Sequence, residues 1–187
     1  MQLFGRQSLS LALLLGLLMP VNTVIAEEYN QDLPPVTVVK AEDLQTDARL
    51  SRQQNKPILL FFSMQGCSWC DFVEEEHLKP MLRNADYREK VVIRKVMTDD
   101  YGSISDFNGA AISVSDLAQR YRAYLTPTVV FVDHNGQQLA PRILGVRNTE
   151  MYGGDLDEGL ELSCQKLRQE NVAAATSESV KASSSSF

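Results

Sequence analysis

The chain has 187 residues, a net charge of −6, two histidines and three cysteines. That acidic balance gives no electrostatic footprint for nucleic acid, and the length suits one compact domain with a single core once the chain ends are set aside. No internal repeat is visible.

Residues 1–26 have the pattern of a secretory signal peptide. Arg6 supplies the positive start, Leu9 to Met19 an apolar run, Pro20 a break, and Val24-Ile25-Ala26 a small residue before Glu27-Glu28. The run is shorter than the roughly 20 residues a helix needs to cross a bilayer, and no cysteine follows it for lipid attachment; an uncleaved anchor is the alternative. Export to the periplasm is expected, and thiols there can form lasting disulfides.

Residues 27–40 read as an N-terminal extension and 41–170 as the domain. Ala41 to Asn55 is compatible with a helix and ends before Pro57. Ile58 to Phe62, "ILLFF", is an unbroken apolar run suited to a strand buried on both faces. A short loop with Gly66 follows, then a helix from Cys67, then a second short helix opened by Pro80. Lys90 to Met97 reads as the second strand and 98–112 as a long loop, hairpin-like near Asn108-Gly109. Ser115 is the predicted cap of a helix whose apolar face carries Leu117, Tyr121 and Tyr124 or Leu125. A third strand starts at Thr128, and Asn135-Gly136 turns it into a return strand over Gln138 to Val146. Asn148 or Thr149 is the predicted cap of a last helix ending near Arg168. Residues 171–187, rich in Ala, Ser and Thr, read as a disordered tail. The order β-α-β-α-β-β-α predicts an α/β fold, a mixed sheet covered by helices.

The motif "GCSWCDF" puts Cys67 and Cys70 where the first strand hands over to its helix. Haem attachment needs a histidine after the second cysteine, and Asp71 stands there. Zinc needs four ligands, and only Cys164, His77 and His134 remain, scattered; no metal is expected. A purely structural bridge closes too small a loop to add much stability. Redox chemistry needs less: the free N–H groups and positive pole of a helix amino end favour a thiolate at Cys67. Cys67 is then the exposed nucleophile, Cys70 the more buried resolving cysteine, and Trp69 part of the docking surface or packed against a loop.

The stretches "PILLFFSMQGCSWC", "YLTPTVVFVDHNGQQL" and "ILGV" resemble the thioredoxin superfamily over about residues 55–165, and most closely its exported SoxW-like members. The resemblance implies a thioredoxin fold, nucleophilic Cys67, resolving Cys70, and a cis-proline at Pro127 that sets Thr126 beside the sulfurs to hold an extended substrate. It implies protein substrates with disulfides or thiols, no cofactor beyond the cysteine pair, and reductase activity recharged by a membrane electron donor. An oxidase, an isomerase, or an adaptor module without turnover are the alternatives.

Three departures from ordinary thioredoxin stand out. Gly66 replaces a tryptophan, Ser68-Trp69 replaces Gly-Pro, and Phe61 stands where thioredoxins carry a buried aspartate. Glu74, one helical turn from Cys70, is the candidate proton acceptor in its place; solvated helix surface is the alternative for Glu74. His77 reads as a packed or surface residue, and Cys164 as a lone thiol. The sequence carries no signal for an oligomeric state.

Overall fold

The computed structural model describes residues 35–184. Residues 1–34, which contain the expected signal peptide, lie outside the described residues, as do 185–187.

In chain order the elements are α1 (Leu44–Gln54), β1 (Ile58–Ser63), α2 (Ser68–Val73), a π-helical turn (Glu74–Leu78), α3 (Lys79–Arg83), α4 (Ala85–Arg88) and β2 (Val92–Met97). Then come β3 (Ser103–Ser105), β4 (Ala111–Ser113), α5 (Val114–Arg120), β5 (Thr128–Val132), β6 (Ile143–Leu144) and α6 (Tyr152–Ser184). The main sheet has the order β2-β1-β5-β6, with β1 parallel to β2 and antiparallel to β5. This is the mixed sheet flanked by helices that the sequence predicts. β3 and β4 form a separate hairpin through Asn108-Gly109, which takes up most of the expected 98–112 loop and ends one residue beyond it at Ser113.

Every residue of β1 is buried because both faces of the sheet are covered. Successive side chains of a strand point to opposite faces. Leu59 and Phe61 therefore join Ile93, Val129 and Phe131 beneath α2, α3 and α6, with Val73, Leu78, Leu156 and Leu160. Ile58, Leu60 and Phe62 face the other way, against Leu44 and Ala48 of α1, Leu117 of α5 and Phe107 of the hairpin. Each such large side chain contributes roughly 1.5–3 kcal/mol on burial.

The same alternation splits two charges on β2. Arg94 clamps Asp47 of α1, its Nε donating over 2.9 Å, while Lys95 reaches the opposite face and Glu74. A charged side chain in a half-buried strand thus ties a helix to each side of the sheet.

Several boundaries differ from the sequence prediction. Val38 is already buried, and the Val39 carbonyl accepts the Lys95 N–H at 2.8 Å, so part of the expected extension is built into the fold. The cap of α5 is Ser113 rather than Ser115; its hydroxyl accepts the Asp116 N–H at 3.0 Å. That helix stops before Tyr124, because Arg122 takes a left-handed conformation (φ 53°) and Ala123 N–H returns to the Ala118 carbonyl, a Schellman ending. Tyr124 and Leu125 are consequently exposed instead of extending an apolar face. The return strand shrinks to Ile143–Leu144 plus a bridge at Gln138, since Pro141 cannot donate to a ladder.

α6 runs past Arg168 to Ser184, through residues expected to be a disordered tail. Ala173 to Ala175 are strong helix formers and no Gly or Pro interrupts them. Among the described side chains its last buried one is Leu167. No described helix is long and apolar enough to cross a membrane.

Candidate active site

β1 delivers the chain to the loop Met64-Gln65-Gly66 at its carboxyl end, where chemistry collects in open α/β sheets. Gly66 has φ 69°, a left-handed angle that costs glycine nothing and lets the backbone turn into α2. The loop is anchored from the 98–112 segment: Asp99 accepts the Gln65 N–H at 3.1 Å, and Thr98 N–H donates to the Ser63 carbonyl at 2.7 Å.

Cys67 is the N-cap of α2. Its sulfur accepts the Cys70 N–H at 3.2 Å, and its carbonyl accepts the N–H groups of Cys70 and Asp71. Cys67 and Cys70 are joined as a disulfide, S–S 2.13 Å. Their exposures differ: Cys67 is half-buried, whereas Cys70 is 2 % exposed within the core layer under α2. Trp69 is 51 % exposed, its ring meeting only the edge of Phe72 at 5.9 Å among described aromatic contacts.

The second half of the site comes from the loop before β5. The Thr126–Pro127 peptide is cis, and the Thr126 hydroxyl lies 3.6 Å from the Cys67 sulfur, within range to donate to it. Pro127 is held by its carbonyl, which accepts the Gly145 N–H at 2.8 Å. Exposed Met64, Tyr124 and Leu125 border a groove of about 450 Å³ that runs from Thr126 between the Met64 loop and α5.

Glu74 does not lie on the solvated face of its helix. It is partly buried and accepts from Lys95 Nζ through both carboxylate oxygens, at 2.9 and 3.1 Å. Lys95 was not among the sequence candidates; the signal for it was a lysine inside the apolar run "VVIRKVM". His77 is packed between Phe72 and Tyr152, ring centroids 5.4 and 5.2 Å away, and burial lowers its pKa despite the opposing charges of Glu76 and Asp157. Cys164 is a half-buried free thiol whose pKa is pushed up by burial. Among the described residues no group of three or more His, Cys, Asp or Glu side chains is placed to hold a metal ion.

A cysteine pair at the amino end of a helix, closed as a disulfide beside a cis-proline loop on a mixed four-stranded sheet, defines a class: thioredoxin-fold proteins equipped for thiol–disulfide exchange. The chain belongs to the thioredoxin-like domain family, whose model matches residues 44–156. No curated protein matches it. Similar solved structures include a thioredoxin of Malassezia sympodialis (18 % identity, 70 % of this chain and 96 % of that one, TM-score 0.48). Others are the oxidoreductase DsbH (20 %, 68 % and 88 %, 0.46) and a thioredoxin-fold protein from Helicobacter pylori (21 %, 63 % and 86 %, 0.39).

Proposed function

We propose that the protein is an exported, periplasmic thiol–disulfide oxidoreductase of the SoxW-like kind that reduces disulfides in other proteins. The observation that carries this reading is the Cys67 sulfur, half-exposed at the amino end of α2, 3.2 Å from the Cys70 nitrogen and 3.6 Å from the Thr126 hydroxyl. Both donors and the helix pole favour a thiolate there, the species that attacks a disulfide.

In the reduced protein, the Cys67 thiolate attacks one sulfur of a substrate disulfide, and the other leaves as a thiolate. Cys70, deprotonated, then attacks the Cys67 side of the mixed disulfide and releases the second substrate thiolate. Two electrons pass from the cysteine pair to the substrate, and the two protons lost by Cys67 and Cys70 balance those taken up by the released thiolates. The sulfurs carry the electrons, so the cycle requires no bound cofactor; a membrane electron donor returns the pair to the dithiol. Trp69, Thr126 and Pro127 form the docking rim for the substrate chain.

Insulin reduction tests the reading. The wild type should turn over and Cys67→Ser should not, while Cys70→Ser should accumulate a mixed disulfide that names the partner. A wild type as inert as Cys67→Ser would replace the enzyme by a binding module. The reduction potential decides direction, since about 30 mV shifts the exchange equilibrium by about 1.4 kcal/mol; a value near those of the oxidising exchange proteins would overturn the reductase assignment.

A further inference from the structure

The pole of the sheet opposite the cysteine pair carries a cavity of about 310 Å³, at the small end of the range for small-molecule sites. It lies between α1, the β3–β4 hairpin and the turn after β5. Val132, at the end of β5, pairs with Ile58, the first residue of β1, whereas Cys67 follows the other end of β1. The length of β1, roughly 17 Å, therefore separates this cavity from the disulfide.

Its walls are held by close packing. Ala48 and Phe107 are buried and supply an apolar floor. A Cβ at Gly136 would meet the Phe107 ring at 2.7 Å, and one at Gly109 would overlap the Gln45 amide. The turn after β5 thus sits on the hairpin, and the hairpin on α1. The Tyr121 hydroxyl fastens that turn, donating to the Gly136 carbonyl at 2.8 Å.

The lining is rich in donors. Arg49 donates to Gln45 Oε1 at 3.1 Å and to Thr46 Oγ1 at 2.7 Å, which sets its guanidinium in place and leaves further N–H groups over. Arg52, one turn on, has no hydrogen-bond or ion-pair partner among the described residues. Asn108 spends its carbonyl oxygen on the Ala110 N–H at 2.9 Å, so its amide N–H groups remain. Neutral His134 accepts the Asn135 amide at Nε2 over 3.1 Å, and its other ring nitrogen is then a donor as well.

No carboxylate lines the cavity, in a chain of net charge −6. Those on the adjoining segments are engaged: Asp43 caps α1, Asp106 grips Arg120 through both oxygens, and Asp133 accepts the Asn135 and Gln137 N–H groups. Other cavities lack this imbalance. The one between β6 and α6 sets Arg142 and Arg147 against Asp155 and Glu158. In the one lined by Lys56, Arg88 and Arg94, all three cations are bound to carbonyls or to Asp47.

We propose that this cavity binds a small organic anion with two separate oxyanionic groups, one for Arg49 and one for Arg52. Side chains three apart share one face of a helix, about 5–6 Å from each other at Cβ. That spacing suits two carboxylates, or a carboxylate and a phosphate, on a short carbon chain. Guanidinium forks take such oxygens in pairs, Asn108 and His134 donate from the other walls, and the floor receives the carbon chain. The site uses neither cysteine, so the inference stands apart from the exchange reading.

The test is isothermal titration calorimetry of the full-length oxidised protein with succinate, 3-phosphoglycerate and acetate, all at one ionic strength so that screening is equal. Succinate or 3-phosphoglycerate should bind one to one and at least about tenfold tighter than acetate; the tighter of the two identifies the second group as carboxylate or phosphate. Arg49→Gln and Arg52→Gln should each weaken that binding at least about tenfold, the lower end of what a charge-assisted hydrogen bond contributes. Arg147→Gln removes the same charge elsewhere and should leave it unchanged. Arg52 also stands in the last turn of α1, where a cation offsets the helix pole. A purely structural arginine there would lower the unfolding midpoint of Arg52→Gln and leave the affinity as it was. Absence of saturable binding by both two-group anions, acetate binding as tight as theirs, equal affinity in wild type and both arginine variants, or an equal loss in Arg147→Gln overturns the proposal.

Discussion

Lys95 sits in an apolar strand that could not hold a lone ammonium; burying a charge is tolerated only with a partner. The partner is Glu74, which sequence spacing alone could place near Cys70 but not off the solvated face. His77 is the opposite case, a titratable ring with no partner among the described residues for its buried Nε2. A histidine titrates near 6.5 when unfolded, and burial lowers the folded value. In the window between the two values the unfolded chain binds the extra proton, so stability falls as pH drops through about 6.5. Replacing the ring by an uncharged one of similar size, His77→Phe, should flatten that part of the profile. Urea unfolding between about pH 7.5 and 5.5 provides the measurement; parallel curves for the two proteins would contradict the assignment.

At the scale of elements, close approach decides as much as polarity. α6 packs on the sheet through Tyr152, Leu156, Leu160, Ser163 and Leu167, a row at helical spacing. Gly159 lies in the same row, and a Cβ there would meet the Phe131 ring at 2.6 Å. The extra methyl group of Gly159→Ala should push α6 from β5 and cost about 1–3 kcal/mol, although alanine is the better helix former. A thermal midpoint equal to or above that of the wild type would show that the ring can move aside freely. The ends of the elements follow backbone rules that composition only partly reveals. α5 ends because Arg122 adopts a left-handed turn, a position where glycine is usual, so no residue announced the stop. The consequence reaches the site: Tyr124 and Leu125 are freed from the helix to border the groove beside Thr126.

Across the whole molecule the two core layers share one sheet, and β1 contributes alternate side chains to both. Phe61 belongs to the layer beneath the cysteine pair and Phe62 to the layer beneath α1 and α5. Because a single strand carries both, the domain should unfold in one transition. Phe61→Ala and Phe62→Ala are each expected to cost about 3–5 kcal/mol and to shift fluorescence and circular dichroism together. Two separated transitions in either variant would mean that the layers melt independently.

The parts legible in the sequence are those in which neighbours along the chain do the physical work. An unbroken apolar run is a doubly covered strand because no polar face remains to be wetted, and two cysteines three apart meet because one helical turn brings them together. The resemblance to thioredoxins likewise rested on contiguous stretches, and the family match over residues 44–156 agrees with it. What only tertiary structure decided are the encounters between distant segments. Lys95 meets Glu74, Asp99 holds Gln65, and Thr126 stands against Cys67 because sheet register and helix packing bring them within reach. The free energy of such a contact depends on burial and distance, neither of which exists until the chain has folded.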